Sequence, residues 1–263
     1  MTLNHGREGA GAPLVLIHGV GHHWQGWRPV IDRLSADFDV IACDSPGFGR
    51  SAPLPAGIAP TIPAYTDAFE RFFASLGLVD SSAPHVAGNS MGGAIALELV
   101  RRGAVASATA ISPAGFWTPA ERRYCQLSLS VLAGTPRSLR PAVLALARTR
   151  FGRATLFGQI FAWPARMPAA EAVSVLEDAW AAPAFAGALA AFDDYRFTGF
   201  APVAGVPVTV AWGNRDRLLL YGRQAPRARA QLPWARHVTL GAGHTPFFDD
   251  PAAVAQVIRS GTS

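Results

Sequence analysis

Gly88-Asn89-Ser90-Met91-Gly92-Gly93 is the stretch that decides the fold. A short apolar run over 84–87 enters it and a helix-forming run leaves it, so it reads as a sharp turn between strand and helix. Such a turn holds the serine hydroxyl clear of the backbone, above a helix N-terminus. The glycines belong there because the turn forces cramped backbone angles and the adjoining strand and helix crowd any Cβ. The same letters also describe an ordinary glycine-rich helix entry. With 26 glycines in 263 residues, the pattern needs support from the rest of the chain.

Outward from this turn, apolar strand-like runs alternate with amphipathic helical runs, the pattern of an α/β domain with a mostly parallel sheet. Strands are predicted over 14–17, 40–43, 85–87, 106–111, 206–212 and 236–240. Each is nearly uniformly apolar, as expected when helices cover both faces of the sheet. Helices are predicted over 27–35, 62–76, 91–102 and 251–259, the first of them late, after a long loop from His18. Between Phe116 and Phe200 the alternation stops. Helical runs over 120–133, 139–151, 169–180 and 185–192 are broken by Pro136, Pro164, Pro168 and Pro183. The expected organisation is therefore a core of 1–115 and 201–263 interrupted by an all-helical cap, 116–200. A cap at that point sits over the strand-exit edge, where open α/β sheets bind ligands.

Composition narrows the classes. Half of the residues are apolar and 16% are charged, which describes a globular chain long enough to bury a sizeable core. The net charge of +5 comes from arginine alone, since there is no lysine, and the arginines are scattered. No basic stripe or nucleic-acid module appears, so the expected partner is a small-molecule substrate rather than nucleic acid. No apolar run approaches the roughly 18 residues of a membrane span, and residues 1–11 hold no signal-like apolar stretch. A cytoplasmic enzyme without a membrane partner is the expectation; the oligomeric state is not legible. Cys43 and Cys125 are too few for a disulfide framework or a metal site, and no metal is expected.

A serine nucleophile needs a base, and the base an orienting acid. Gly241-Ala242-Gly243-His244-Thr245-Pro246 follows the last strand, so His244 is the candidate base on the same edge as Ser90. The acid should leave another strand there. Trp212-Gly213-Asn214-Arg215-Asp216 supplies Asp216, whereas the exit of the 106–111 strand, Ser112-Pro113-Ala114-Gly115, has no carboxylate. Asp249 and Asp250 precede Pro251 and read as caps of the last helix. Donors for a developing oxyanion are expected from the backbone N–H of Met91 and of Val20, which follows His18-Gly19. His18 reads as a structural residue of that loop, and His22, His23 and Trp24 as either entrance or loop surface. A nicotinamide-binding reading of Gly19-x-Gly21 with Asp44 fails, because Trp24 occupies the third glycine position and the helix starts too late to hold a pyrophosphate.

With His18-Gly19, Asp44-Ser45-Pro46-Gly47-Phe48-Gly49-Arg50-Ser51, the Ser90 turn, Asp216 and His244 in order, the chain resembles the α/β-hydrolase superfamily over nearly all of its length outside the cap. The resemblance implies an α/β-hydrolase fold and a Ser-His-Asp hydrolase that needs no cofactor. It also implies a first strand that is missing here or reduced to 2–5. Dehalogenases and epoxide hydrolases of this fold carry Asp at the nucleophile position, so Ser90 argues against those chemistries. The Ser90 and Asp44 motifs also look like those of meta-cleavage-product hydrolases, which break carbon–carbon bonds. There the Asn before the nucleophile belongs to the active site, which would make Asn89, with Gly19, a substrate contact. Departures are Val20-Gly21-His22 in place of Gly-Pro-Gly, Thr245 in place of Trp, and no motif that selects a cap arginine among Arg148, Arg150, Arg153, Arg166 and Arg196. Carboxylic ester hydrolysis is the leading expectation, carbon–carbon hydrolysis the alternative, and a catalytically silent binding protein of the same fold the third. Phe116 and Trp117, with Phe151, Phe157, Phe161, Trp163 and Trp180, are expected either to line an apolar pocket or to form the core of the cap.

Overall fold

The structure is a computed structural model describing residues 2–262; Met1 and Ser263, the outer limits of the expected core, lie outside the described residues. Its elements run β1 (His5–Glu8), β2 (Ala12–Ile17), α1 (Arg28–Leu34), β3 (Phe38–Cys43), α2 (Ile62–Ser75), β4 (His85–Asn89), α3 (Met91–Arg101) and β5 (Ser107–Ile111). Five helices follow without a strand: α4 (Pro119–Ala133), α5 (Arg140–Ala147), α6 (Arg150–Phe157), α7 (Ala169–Ala181) and α8 (Phe185–Ala191). The sheet resumes with β6 (Val208–Gly213), then α9 (Tyr221–Gln231), β7 (Arg236–Leu240) and α10 (Pro251–Arg259).

The seven strands lie in the order β1-β3-β2-β4-β5-β6-β7, with only β1 antiparallel. From β2 the chain moves outward to β3, then returns to place β4 on the other side of β2. That reversal opens a crevice beyond the strand exits. Ile17 pairs with Gly88, so β2 and β4 end side by side at the crevice. β4, β5 and β6 are buried almost throughout because helices cover both faces. On one face α2 and α3 bring Phe69, Phe72, Ile95 and Leu99 into the core; on the other, α1 and α10 bring Trp27, Ile31 and Ile258. Trp27 lies on Phe247 with ring centroids 3.8 Å apart, a contact worth about 1 kcal/mol beyond its area. Phe157, Phe161 and Leu176 form a separate core within the helical segment.

Local chemistry sets the element ends. Proline stands in the first turn of α1, α2, α4, α5 and α10, where its missing N–H costs nothing. Thr118 and Glu121 form a reciprocal capping box at α4, and Asp250 caps α10 through Ala253 N–H at 2.9 Å.

Several expectations change. The first strand is present at His5–Glu8 rather than reduced to 2–5; it is a half-exposed edge strand and carries no apolar signature. The predicted 139–151 helix is two helices, because Thr149 accepts Gly152 N–H at 2.9 Å and starts α6 afresh. α9 escapes the sequence reading since it is polar and holds Pro226 on its exposed side. A 3-10 turn at Trp24–Trp27 shortens the expected long loop.

Candidate functional site

Ser90 joins β4 to α3 with φ 57° and ψ −114°, a left-handed backbone that a side chain rarely adopts. The surroundings impose it. Ser90 N–H donates to Ile111 O at 2.9 Å, and Ser90 O accepts Ala94 N–H and Ala114 N–H at 3.0 Å each. The flanking glycines are required by close approach: a Cβ at Gly88 would lie 2.0 Å from Gly92 O, and one at Gly92 would lie 2.2 Å from Ile17 O. Met91 is the first residue of α3, so its N–H has no intrahelical acceptor and points from the positive end of the helix. Among the described residues, neither the Met91 nor the Val20 N–H is engaged in another hydrogen bond. Gly19 comes so near the turn that a Cβ there would sit 3.1 Å from Ser90 Cβ.

Asp216 and His244 come from the exits of β6 and β7. Asn214 N–H and Arg215 N–H donate to Leu240 O and Ala242 O at 2.9 Å, drawing the two loops together. Gly213 permits it, because a Cβ there would meet Gly243 O at 2.1 Å. His244 Nδ1 lies 2.8 Å from Asp216 Oδ2. The same oxygen accepts Trp212 Nε1–H at 3.1 Å, while Oδ1 accepts Leu218 N–H at 3.0 Å and Leu219 N–H at 2.8 Å. Four donors converge on one buried carboxylate, which fixes it as an acceptor and places the His244 ring proton on Nδ1.

Asn89 has another occupation than the one expected. Its Nδ2 donates to His244 O at 2.9 Å and to Ile111 O at 3.1 Å, and its Oδ1 accepts Thr245 Oγ–H at 3.4 Å. One amide proton holds the His244 loop against the end of β4 and the other ties β4 to β5, although the residue borders the cavity. Asp249 likewise departs from its expected role as a helix cap. It accepts N–H groups from Gly243 (2.8 Å), Ala162 (2.9 Å) and Trp163 (3.0 Å), tying the His244 loop to the segment after α6. Thr245 N–H adds a bond to Ile160 O at 3.1 Å.

His18 is buried and structural. Its Nε2 accepts Ser45 N–H at 2.9 Å, so Nδ1 carries the proton and donates to Gly19 O at 2.7 Å. Burial pushes its pKa down to about 4, which keeps this neutral tautomer at ordinary pH. His22 borders the cavity and is held neutral in the same way, its pKa lowered to about 3 chiefly by burial. Asp44 accepts N–H groups from Trp24 and Arg50 and the Asn4 amide, so it is spent inside the core.

Ser90, His244, Asn89, Gly19 and Val20 share one narrow cavity, in which about 60 Å³ is open to a water-sized sphere. Apart from Gly21, His22 and Thr245 the remaining wall is apolar: Leu129, Leu132, Ile160, Phe161, Val175 and Leu218, with Ala179 and Phe185 closing one side. Of the aromatic candidates only Phe161 is there. Phe116 packs on Phe197 and Trp212 inside the core, and Trp117 packs on Phe192 with its N–H donated to Tyr195 O. Neither borders the cavity, which corrects their expected place at the substrate. Phe151 is exposed. Aliphatic wall residues carry no sequence signal that separates them from ordinary core positions. Among the described residues no group of His, Cys, Asp and Glu is placed to hold a metal ion, and no single helix is long and apolar enough to cross a membrane.

One ion pair joins this site to α7. His23 Nδ1 lies 2.6 Å from Asp178 Oδ2. Burial pushes His23 down, but the hydrogen bond and charge of Asp178, helped by Glu171 and Asp44, outweigh it and leave the pKa above its ordinary 6.5. Burial raises Asp178 in turn, and His23 and Ser174 Oγ–H bring it below its ordinary 3.8. The histidine contribution to stability is full below 6.5 and is lost as pH rises through the raised folded value; the aspartate contribution is full above 3.8 and is lost on acidification. His23→Gln is therefore expected to flatten the loss of stability on the alkaline side, read as urea midpoints between about pH 6 and 9.

Residues 14–257 match the model of the alpha/beta hydrolase family. Over 204 residues the chain is 30% identical to epoxide hydrolase EphH of Mycobacterium tuberculosis, a match covering 74% of this chain and 91% of that one. Over 146 residues, 54% of this chain, it is 34% identical to the dihydrolipoyllysine-residue acetyltransferase component of the acetoin cleaving system of Cupriavidus necator, of whose length the match spans 37%. A solved esterase from Thermogutta terrifontis superposes with a TM-score of 0.74 at 22% identity, covering 98% of this chain and 92% of that one. Its fold is shared with that structure, and with most of its length matched by the family model, the chain belongs to the alpha/beta hydrolase family.

Proposed function

We propose that this hydrolase cleaves small to medium carboxylic esters through an acyl-enzyme on Ser90. The observation that carries the reading is the pairing of a strained serine turn with a His244 ring whose Nδ1 is held by a four-donor Asp216, in one cavity. His244 Nε2 takes the Ser90 hydroxyl proton as Oγ bonds to the ester carbonyl carbon. The negative charge formed on the carbonyl oxygen is met by the Met91 and Val20 N–H groups. The carbon–oxygen bond to the leaving group breaks, and His244 gives its proton to the departing alkoxide. Water, deprotonated by His244, then attacks the acyl-enzyme and restores Ser90.

Chemistry favours this over the neighbouring reactions. A serine oxygen that opened an epoxide would form an ether that water does not cleave, whereas a carboxylate forms a hydrolysable ester. Carbon–carbon hydrolysis of the meta-cleavage type leans on a cap arginine, and none of Arg148, Arg150, Arg153, Arg166 and Arg196 borders the cavity. Arg153 is buried, its guanidinium donated to Ala147 O and Arg148 O.

A fluorophosphonate probe is expected to label the wild type and not Ser90→Ala, alongside turnover of p-nitrophenyl acetate or butanoate. An unlabelled wild type rules out Ser90 as nucleophile. Bleaching of a coloured dienol diketone without ester turnover would establish carbon–carbon cleavage instead.

A further inference from the structure

A second hollow, much larger than the Ser90 cavity, lies between α4, α7 and α8, with about 490 Å³ open to a water-sized sphere. Ala179 and Phe185 border both spaces and form the wall between them. The Phe185 ring rests on the loop after β2, at a glycine: a Cβ on Gly21 would lie 2.4 Å from Phe185 Cε2. The backbone beside it is pinned, since Ala184 N–H donates to Gly47 O at 3.2 Å and a Cβ at Gly47 would strike Ala184 Cβ at 2.4 Å. Of the two wall residues only Phe185 has a side chain with rotatable bonds, so an opening that moves no helix would be a rotation of that ring.

We propose that this hollow is an acyl-chain subsite, separated from Ser90 by Phe185, and that it takes the distal methylenes of an unbranched medium-chain acyl group. This rests on the ester reading above. The inner cavity has less open space than the hollow, so a long chain anchored at Ser90 would need room beyond it. The shared wall leads directly into the larger space. No charged side chain borders the hollow. Of its polar residues, Gln126 already donates to Leu189 O and Asp193 Oδ1. Ser130 is its other polar residue; Trp180, Leu189 and the small residues Ala186 and Ala190 supply the apolar surface on which a hydrocarbon chain would lie.

The test is the ratio of kcat/KM on p-nitrophenyl decanoate to that on the acetate. Phe185→Ala is expected to raise the ratio at least about tenfold, the effect of seating only a couple of further methylenes. Phe185→Leu, which keeps an apolar seat against Gly21, should move it the same way and guards against misfolding of the alanine variant. Adding Ala190→Trp, at an exposed α8 position bordering only the outer hollow, is expected to return the ratio to the wild-type value. An unchanged ratio in both Phe185 variants overturns the proposal, as does a gain that survives Ala190→Trp. A gain on acetates of longer alcohols, with none on longer acyl chains, overturns it as well. Calorimetric binding of decanoate against butanoate gives a readout without turnover. If no ester is cleaved, the ester reading fails, and tighter decanoate binding in Phe185→Ala that Ala190→Trp abolishes still upholds the subsite; its absence removes it.

Discussion

Ser90→Ala is expected to lower kcat on p-nitrophenyl acetate by about 10⁴-fold or more while leaving the fold intact. The magnitude follows from the proposed mechanism, in which His244 and the Met91 and Val20 N–H groups act through Ser90 as nucleophile. The residual rate over uncatalysed hydrolysis reports the Met91 and Val20 N–H groups and simple binding, which alanine leaves in place. A companion variant separates chemistry from backbone. At φ 57° both serine and alanine are strained, whereas glycine is not. Ser90→Gly should therefore be as inactive as Ser90→Ala and more stable than it by about 1 kcal/mol, read from urea midpoints. Equal stability of the two would show that the turn stores no strain.

Asp216→Asn carries the second large effect. An amide presents one acceptor oxygen and one donor NH₂ where the carboxylate now receives four N–H groups. If the oxygen faces Leu218 and Leu219, the NH₂ faces Trp212 Nε1–H and the His244 Nδ1–H. The imidazole must then switch its proton to Nε2, and the lone pair that the proposed mechanism needs as base is lost. The expected fall in kcat is about 10³–10⁴-fold. The unpaired donor at Trp212 adds a stability loss of about 1–3 kcal/mol. Asp216→Glu tests position against charge: it keeps the acceptor but lengthens the arm, so it should retain more activity than the amide only if the buried pocket yields.

Much of this site is legible in the sequence because it sits at element junctions. Ser90 follows β4 directly, Asp216 and His244 lie in the loops that leave β6 and β7, and glycine or proline marks each turn, so chain order and strand exits point to all three. β7 and α10 occupy the residues expected of them, the helix delimited by the proline in its first turn. What escapes depends on tertiary placement. Phe116 and Trp117 look like pocket residues by type and by nearness to the cap, but the chain turns them onto Phe197, Trp212 and Phe192. The aliphatic wall around Ser90 is assembled from α4, α7 and the segment after α6, whose mutual packing no periodicity encodes. α9 is polar along most of its surface, and β1 is a half-exposed edge strand, so neither shows the apolar rhythm by which the others are found. Asn89 and Asp249 carry polar types that fit several roles, and only their partners assign one.

Asp249 has a mechanical consequence. Its three bonds, with that from Thr245 to Ile160, join the loop bearing His244 to the stretch 160–163, whose Ile160 and Phe161 border the cavity. A wedge driven against Ile160 or Phe161 would have to break the three bonds that cross between the segments, from Ala162, Trp163 and Thr245, or strain the loop bearing His244. The cavity wall and that loop are thereby coupled, with the Asp249 carboxylate as the joint.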